Sequence, residues 1–214
     1  MNSGREELIS ALSADLRSIA RPAGRGISVA LWLLGSASFS VAFLLWEAPF
    51  RAGFVQQLTH TPRFLAEFVL GLVAITCLGA AGLRLAIPDM GPLRRRIGWP
   101  LLALAAWLGL MAYGLHDPSL PLSMAGKRPH CMLESALLGG PGLLWGLYLA
   151  RGCWPLHGAC TGLLLGLAAG AMPALLMHVA CMYSPAHVFL YHLAPGLALG
   201  VVGALAGAWL LRIR

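Results

Sequence analysis

Long runs of apolar residues, separated by short polar segments, make up most of the chain. Each run is close to the roughly 17–25 helical residues that cross the hydrocarbon core of a bilayer. Stretches such as GLLLGLAAGAMPALLM (162–177) do not alternate between apolar and polar residues as barrel strands do. The pattern therefore predicts an all-α membrane protein with six transmembrane helices, near residues 27–46, 64–86, 99–115, 134–151, 159–181 and 190–211.

The composition supports a chain that faces lipid. Of its 214 residues, 58% are hydrophobic and 11% are charged, and the mean hydropathy is +0.76. Soluble domains average about 25% charged residues. The 26 glycines suit close contact between membrane helices.

Positive residues are unequally divided between the two ends of the predicted spans. If the N-terminus is cytoplasmic, eleven arginines fall in inner segments and four positive residues fall in outer loops. Short cytoplasmic loops carry an excess of Lys and Arg, so both termini are predicted to be cytoplasmic. This topology accounts for the net charge of +7 without a nucleic-acid partner. The four outer residues are Arg51, Arg63, Lys127 and Arg128.

Residues 1–25 form the only sizeable segment outside the predicted spans, and residues 26–214 form the membrane domain. The N-terminal segment predicts a short amphipathic helix. Its polar face has three acidic and three basic residues, whereas helices that lie on lipid usually carry a basic face. This balance favours a protein partner, with packing on the inner face of the bundle as the alternative. The apolar stripe comprises Leu8, Ile9, Leu12, Leu16 and Ile19.

Cysteine, histidine and methionine concentrate at two predicted outer helix ends, KRPHCMLES (127–135) and MHVACMYSPAHVFLYH (177–192). Cys131 and Cys181 are the candidate sensor thiols. His178 lies three residues before Cys181, so we expect both on one helix face. Glu67 adds a carboxylate at a similar depth. The candidate metal ligands are Cys131, Cys181, His130, His178, His187, His192, Met182 and Glu134.

Three chemistries fit these residues. The first is a reversible disulfide between Cys131 and Cys181, and the second is a soft-metal site for copper or a zinc- or cadmium-type ion. In the third alternative the cysteines have no chemical role and pack as small apolar side chains. A small metal or solute transporter is the alternative function, although a transporter needs polar groups along the membrane midplane. An enzyme is not expected, because C-x-x-C is missing from the sequence.

The chain resembles the NrsF-type integral membrane anti-sigma factors over nearly its whole length. The resemblance is carried by C-x-x-E at 131–134, C-x-x-S-P-x-H at 181–187 and DLR at 15–17. It implies a bacterial inner-membrane protein that sequesters an extracytoplasmic-function (ECF) sigma factor in the cytoplasm. Oxidant or heavy metal at Cys131 and Cys181 would release that factor. The implied partner-binding residues are Leu8, Ile9, Leu12, Asp15, Leu16, Arg17 and Ile19.

Overall fold

A computed structural model describes residues 3–14, 25–88 and 91–212, and these residues are mostly helical. The elements are α1 (Ser3–Ala14), α2 (Arg25–Glu47), α3 (Phe54–His60), α4 (Pro62–Leu85), α5 (Leu93–Tyr113), α6 (Cys131–Arg151), α7 (Gly158–Ala180), α8 (Pro185–His187), the π-helical turn (Val188–Leu193) and α9 (Ala194–Leu210). The last three of these elements are continuous, and together they form one long helix with a π-helical turn inside it.

Five of these helical segments are long and apolar enough to cross a membrane. They are Ile27–Glu47, Pro62–Leu85, Leu93–Tyr113, Gly158–Ala180 and Pro185–Leu210. The prediction of an all-α fold is thus confirmed for the described residues, and five of the six predicted spans correspond to helices that could cross a membrane by length and composition. The remaining predicted span corresponds to α6, which has 21 residues but includes Glu134, Ser135 and a Gly-Gly-Pro-Gly stretch that makes it less apolar.

The helix at the third predicted span, α5, begins before the apolar run that predicted it. We expected it from residue 99, with the arginines before it. In the structure Pro92 precedes the helix in an extended conformation, and Arg94, Arg95 and Arg96 lie in the first turn of α5. Proline is well suited to a helix start because its missing N–H would have no helical partner there.

Helix α7 forms the centre of the bundle. About 89% of its most apolar stretch is buried, and the helix packs against α2, α4, α6 and α9. The approach to α9 is especially close. A Cβ atom on Gly162 would lie 2.0 Å from the Gly203 carbonyl oxygen, so any side chain at residue 162 would force the two helices apart.

A buried tryptophan joins α2 to its neighbours. Trp32 is fully buried, and its Nε1 donates a 2.9 Å hydrogen bond to the Gly142 carbonyl oxygen in α6. On the other side, a Cβ atom on Gly79 of α4 would lie 2.5 Å from the Trp32 ring. The indole therefore fixes the spacing of α2, α4 and α6.

The antiparallel helices place their ends in two groups. One group, the thiol end, holds Cys131 and Cys181, and the other, the arginine end, holds Arg84, Arg95 and Arg151. At the thiol end an isolated antiparallel β-bridge links Ser123 to Tyr183. This bridge ties the segment before α6 to the segment after α7.

Helix α1 is exposed along its whole described length, since residues 4–14 are all exposed. Leu8, Ile9 and Leu12 are 60%, 55% and 63% exposed. The other four proposed partner-binding residues, Asp15, Leu16, Arg17 and Ile19, lie outside the described residues.

Candidate thiol and imidazole site

Cys131 and Cys181 meet at the thiol end although fifty residues separate them. Cys131 is the first residue of α6, and Cys181 follows the last residue of α7 in an extended conformation. Both are buried, and their sulfur atoms lie 3.0 Å apart. The Cys131 sulfur also lies 3.1 Å from the Arg128 carbonyl oxygen. The pair therefore consists of two free thiols in direct contact, away from solvent.

Hydrogen bonding between the thiols favours ionisation of one of them. The hydrogen bond from Cys131 lowers the pKa of the Cys181 thiol, although burial opposes this effect. The thiolate is the form of cysteine that binds metals and reacts as a nucleophile. Cys181 is accordingly the sulfur that ionises more readily.

The π-helical turn brings two histidines to the thiols. Residues five apart on an α-helix point about 140° away from each other, whereas the π-helix pairs residue i with i+5. His187 immediately precedes this turn and His192 lies within it, and their rings lie 5.0 Å apart. His187 Nε2 is 3.7 Å from the Cys181 sulfur. One donor atom from each of Cys131, Cys181, His187 and His192 lies within 4.8 Å of the others. We call these four residues the thiol-imidazole site.

His192 is held in an orientation suited to a ligand. It is fully buried, and its Nδ1 lies 3.0 Å from the Ser135 hydroxyl oxygen. Its Nε2 has no hydrogen-bond partner among the described residues. Histidines that bind metals usually have one ring nitrogen fixed by a neighbouring polar group and the other directed to the ion. Ser135 thus positions His192, although it was not among the predicted site residues.

Two buried arginines hold the backbone around the site. Arg51 Nη1 donates a 2.7 Å hydrogen bond to the Cys181 carbonyl oxygen. Arg128 pairs with Glu134 at 3.2 Å and donates 3.2 and 2.7 Å hydrogen bonds to the Leu44 and Ala48 carbonyl oxygens. From the sequence, both arginines were predicted only to be positive residues of outer loops. The position of Arg128, three residues before Cys131, was a sequence signal that it could lie beside the thiols.

His178 belongs to a different cluster, which the structure places beside the thiol-imidazole site. Its Nε2 lies 3.1 Å from Glu67 Oε2, and its ring stacks on Phe64 at 4.6 Å. Ser119 also binds Glu67 at 3.1 Å. The two side chains have different contacts, since Cys181 meets Cys131 and His187 instead.

The other predicted ligands also have different surroundings. Glu134 is buried in the ion pair with Arg128. His130 is exposed and precedes α6. Met182 is the exception, because it is buried in the apolar cluster that contains Cys131 and Cys181 together with Leu44 and Leu138. Among the predicted cysteine, histidine and glutamate ligands, the structure brings together Cys131, Cys181, His187 and His192.

The donor set fits a soft or borderline metal ion. Thiolate and imidazole suit zinc and its neighbours, and thiolate also suits Cu(I). Two sulfurs and two nitrogens make up a common four-coordinate zinc set. The same two sulfurs are also close enough to form a disulfide after a shift of about 1 Å.

Comparison with known proteins agrees with the resemblance seen in the sequence. The family model described as NrsF, negative regulator of sigma F, matches residues 12–213. The anti-sigma-F factor NrsF of Caulobacter vibrioides is 37% identical over 86 residues, which cover 38% of this chain and 39% of that protein. The matched stretch thus spans well under half of this relative. No solved structure matches the chain at a significant level. Because the family model covers nearly the whole chain, the protein belongs to the NrsF family of negative regulators of sigma F.

Proposed function

We propose that this protein is a membrane-embedded anti-sigma factor, which sequesters an ECF sigma factor and releases it when the thiol-imidazole site changes state. Membership of the NrsF family supports the class of activity. The observation that carries the sensing mechanism is the convergence of four donor atoms within 4.8 Å at one end of the bundle.

In the proposed topology α6 is the fourth of six spans, and both termini lie in the cytoplasm of a bacterium with the chain in its inner membrane. Helix α6 supports this count because it packs against α2, α7 and α9 over a length of 21 residues. The excess of arginine at the arginine end supports the orientation. Residues 26–214 are then the sensor domain, with its thiols on the periplasmic side.

Residues 1–25 are the proposed sigma-binding segment. The exposure of Leu8, Ile9 and Leu12 supports this role, because an apolar stripe on a helix binds a groove on a partner protein. The stripe would continue through Leu16 and Ile19, flanked by Asp15 and Arg17. Bound in this way, the segment would withhold the sigma factor from RNA polymerase.

We propose a soft metal ion as the main signal. Binding would replace the thiol protons of Cys131 and Cys181 and place the ion between α6 and the α7–α9 hairpin. A ligand shifts an equilibrium only by its difference in affinity for the two states. A coupling free energy of about 1–3 kcal/mol gives roughly 5- to 150-fold release of the partner.

Oxidation is the second candidate signal, supported by the 3.0 Å separation of the two sulfurs. The two thiols would lose two protons and two electrons to the oxidant, and the S–S bond would form. Both signals therefore act on the same contact between α6 and α7.

The positions of buried ionisable groups favour a regulator over a transporter. All such side chains that the structure describes lie in the segments of the thiol end or one to two helical turns from them, and they do not continue toward the arginine end. Besides Cys131, Cys181 and Tyr183, they are Arg51, Glu67, Arg128, Glu134, His178 and His192.

A reporter gene driven by the sigma factor tests this proposal. Cys131→Ser and Cys181→Ser should hold the reporter off under both cadmium and oxidant. The double variant His187→Ala/His192→Ala should lose the response to cadmium but keep the response to oxidant. The exposed His130→Ala is the matched control and should respond to both. A normal response in both cysteine variants would refute the sensing site, and a chain that co-purifies with no sigma factor would refute the function.

A further inference from the structure

The arginine end contains a basic groove that the proposed function does not use. It lies between α4 and α5 and has a volume of about 580 Å³. Its lining changes from apolar to basic along its length. The main lining residues are Cys77, Ala80, Arg84, Arg95, Arg96 and Trp99. We call it the α4–α5 groove.

The basic part of the groove is built by the end of one helix and the start of the next. Arg84 lies in the last turn of α4, and Arg95 and Arg96 lie in the first turn of α5. Arg96 Nη2 donates a 2.7 Å hydrogen bond to the Arg84 carbonyl oxygen, which fixes the two helix ends together. Arg84 and Arg95 are exposed and make no ion pair with the carboxylates that the structure describes.

The apolar part of the groove continues along α4 into the membrane region. Thr76 lines its far end and lies eight residues before Arg84, which corresponds to about 12 Å of helix. Trp99 is 69% exposed at the mouth, as is typical of tryptophan at the level of lipid headgroups. A ligand that fills the groove therefore needs an anionic head and an apolar tail.

We propose that the α4–α5 groove binds one anionic phospholipid. Arg84 and Arg95 hold the phosphate, since guanidinium groups match phosphate geometry. An acyl chain lies along Ala80 and Cys77. Basic pockets between helices at this membrane level are known sites for anionic headgroups. This proposal rests neither on the sigma factor nor on the sensing site, so it stands or fails independently of them.

Native mass spectrometry of the full chain in a nonionic detergent tests the proposal. The chain is titrated with phosphatidylglycerol, with phosphatidylcholine of the same acyl chains, or with inorganic phosphate. We expect one phosphatidylglycerol to bind about tenfold more tightly than phosphatidylcholine, and inorganic phosphate not to compete at equal concentration. Equal binding of both lipids, or full competition by phosphate alone, would overturn the proposal.

Variants distinguish lipid binding in the groove from general attraction of lipid to the positive charge of the arginine end. Arg84→Gln/Arg95→Gln should weaken phosphatidylglycerol binding about tenfold, whereas Arg151→Gln, which changes charge at the same end outside this groove, should not. Ala80→Leu fills the groove without altering charge and should also weaken binding. An equal loss in Arg84→Gln/Arg95→Gln and Arg151→Gln, or unchanged binding in Ala80→Leu, would overturn the assignment to this groove.

Discussion

The Arg51 guanidinium donates a 2.7 Å hydrogen bond from Nη1 to the carbonyl oxygen of Cys181. Its Nε and Nη2 also bind Gln57 Oε1, at 3.2 and 2.7 Å. One planar group thus joins the segment after α2, helix α3 and the segment after α7. This junction holds the carbonyl of Cys181, the extended residue that caps α7 and whose N–H still bonds to the Met177 carbonyl oxygen.

Replacing Arg51 by lysine should destabilise the thiol end while keeping its charge. A lysine ammonium lacks the fork that reaches two acceptors, and loss of a buried charged hydrogen bond costs about 1.5–3 kcal/mol. We expect the melting temperature of the full chain in detergent to fall by several degrees. Arg151→Lys, at an exposed position, is the control and should melt as the wild type does. Equal melting of all three proteins would show that the junction contributes nothing.

Mild oxidation should join Cys131 to Cys181 and leave the other cysteines unpaired. The sulfurs of these two residues are already 3.0 Å apart, whereas Cys77 is exposed on α4. Treatment of the full chain with diamide, followed by peptide mapping without reductant, measures the pairing. Cys77→Ser should give the same product as the wild type. A major product that contains Cys153 or Cys160 would contradict the structure.

Removing the hydroxyl of Ser135 should weaken metal binding without removing a ligand. Ser135→Ala frees His192 Nδ1, and loss of such a supporting group typically lowers metal affinity 10- to 100-fold, on the order of one to two logarithmic units. Cadmium titration, followed by the thiolate-to-metal absorption band, measures the affinity. His130→Ala should bind cadmium as the wild type does. If Ser135→Ala and the wild type titrate alike, His192 is not a ligand oriented by that hydroxyl.

A methyl group at residue 162 should separate α7 from α9. The Cβ atom of Gly162→Ala would lie 2.0 Å from the Gly203 carbonyl oxygen, whereas the Cβ atom of Gly140→Ala would meet nothing within 4 Å. We expect Gly162→Ala to lower the free energy of unfolding by about 1–3 kcal/mol. Gly140→Ala should be neutral or stabilising, because alanine is the better helix former. Denaturation followed by circular dichroism distinguishes the two, and equal stability would argue against the close helix contact.

The helical membrane fold was predictable because it follows from local properties of the chain. Apolar runs of membrane length specify helices irrespective of what they pack against. The placement of Cys131 and Cys181 at one end followed from counting spans. The lower apolarity of α6 reflects Glu134 and the glycines at its contacts with other helices, so its assignment depends on its neighbours as well as its own sequence.

The composition of the site was less predictable, because it depends on one departure from regular helix geometry and on contacts between helices. The π-helical turn brings His192 to the same side as His187, and an α-helical wheel places them far apart. The different partners of His178 and Cys181, which are Glu67 and Cys131, depend on contacts with α4 and α6 that spacing within α7 does not reveal. The burial of Arg51 depends on a loop conformation, and hydropathy carries no signal for it.

The close contact between α7 and α9 determines how the four donor residues of the thiol-imidazole site are divided between helices. Cys181, His187 and His192 all follow α7 within the hairpin that the glycines hold together, and Cys131 alone comes from another helix. Three donors therefore belong to one tightly packed hairpin. An ion bound at the site would join that hairpin to α6, a helix of 21 residues that ends at Arg151 at the arginine end.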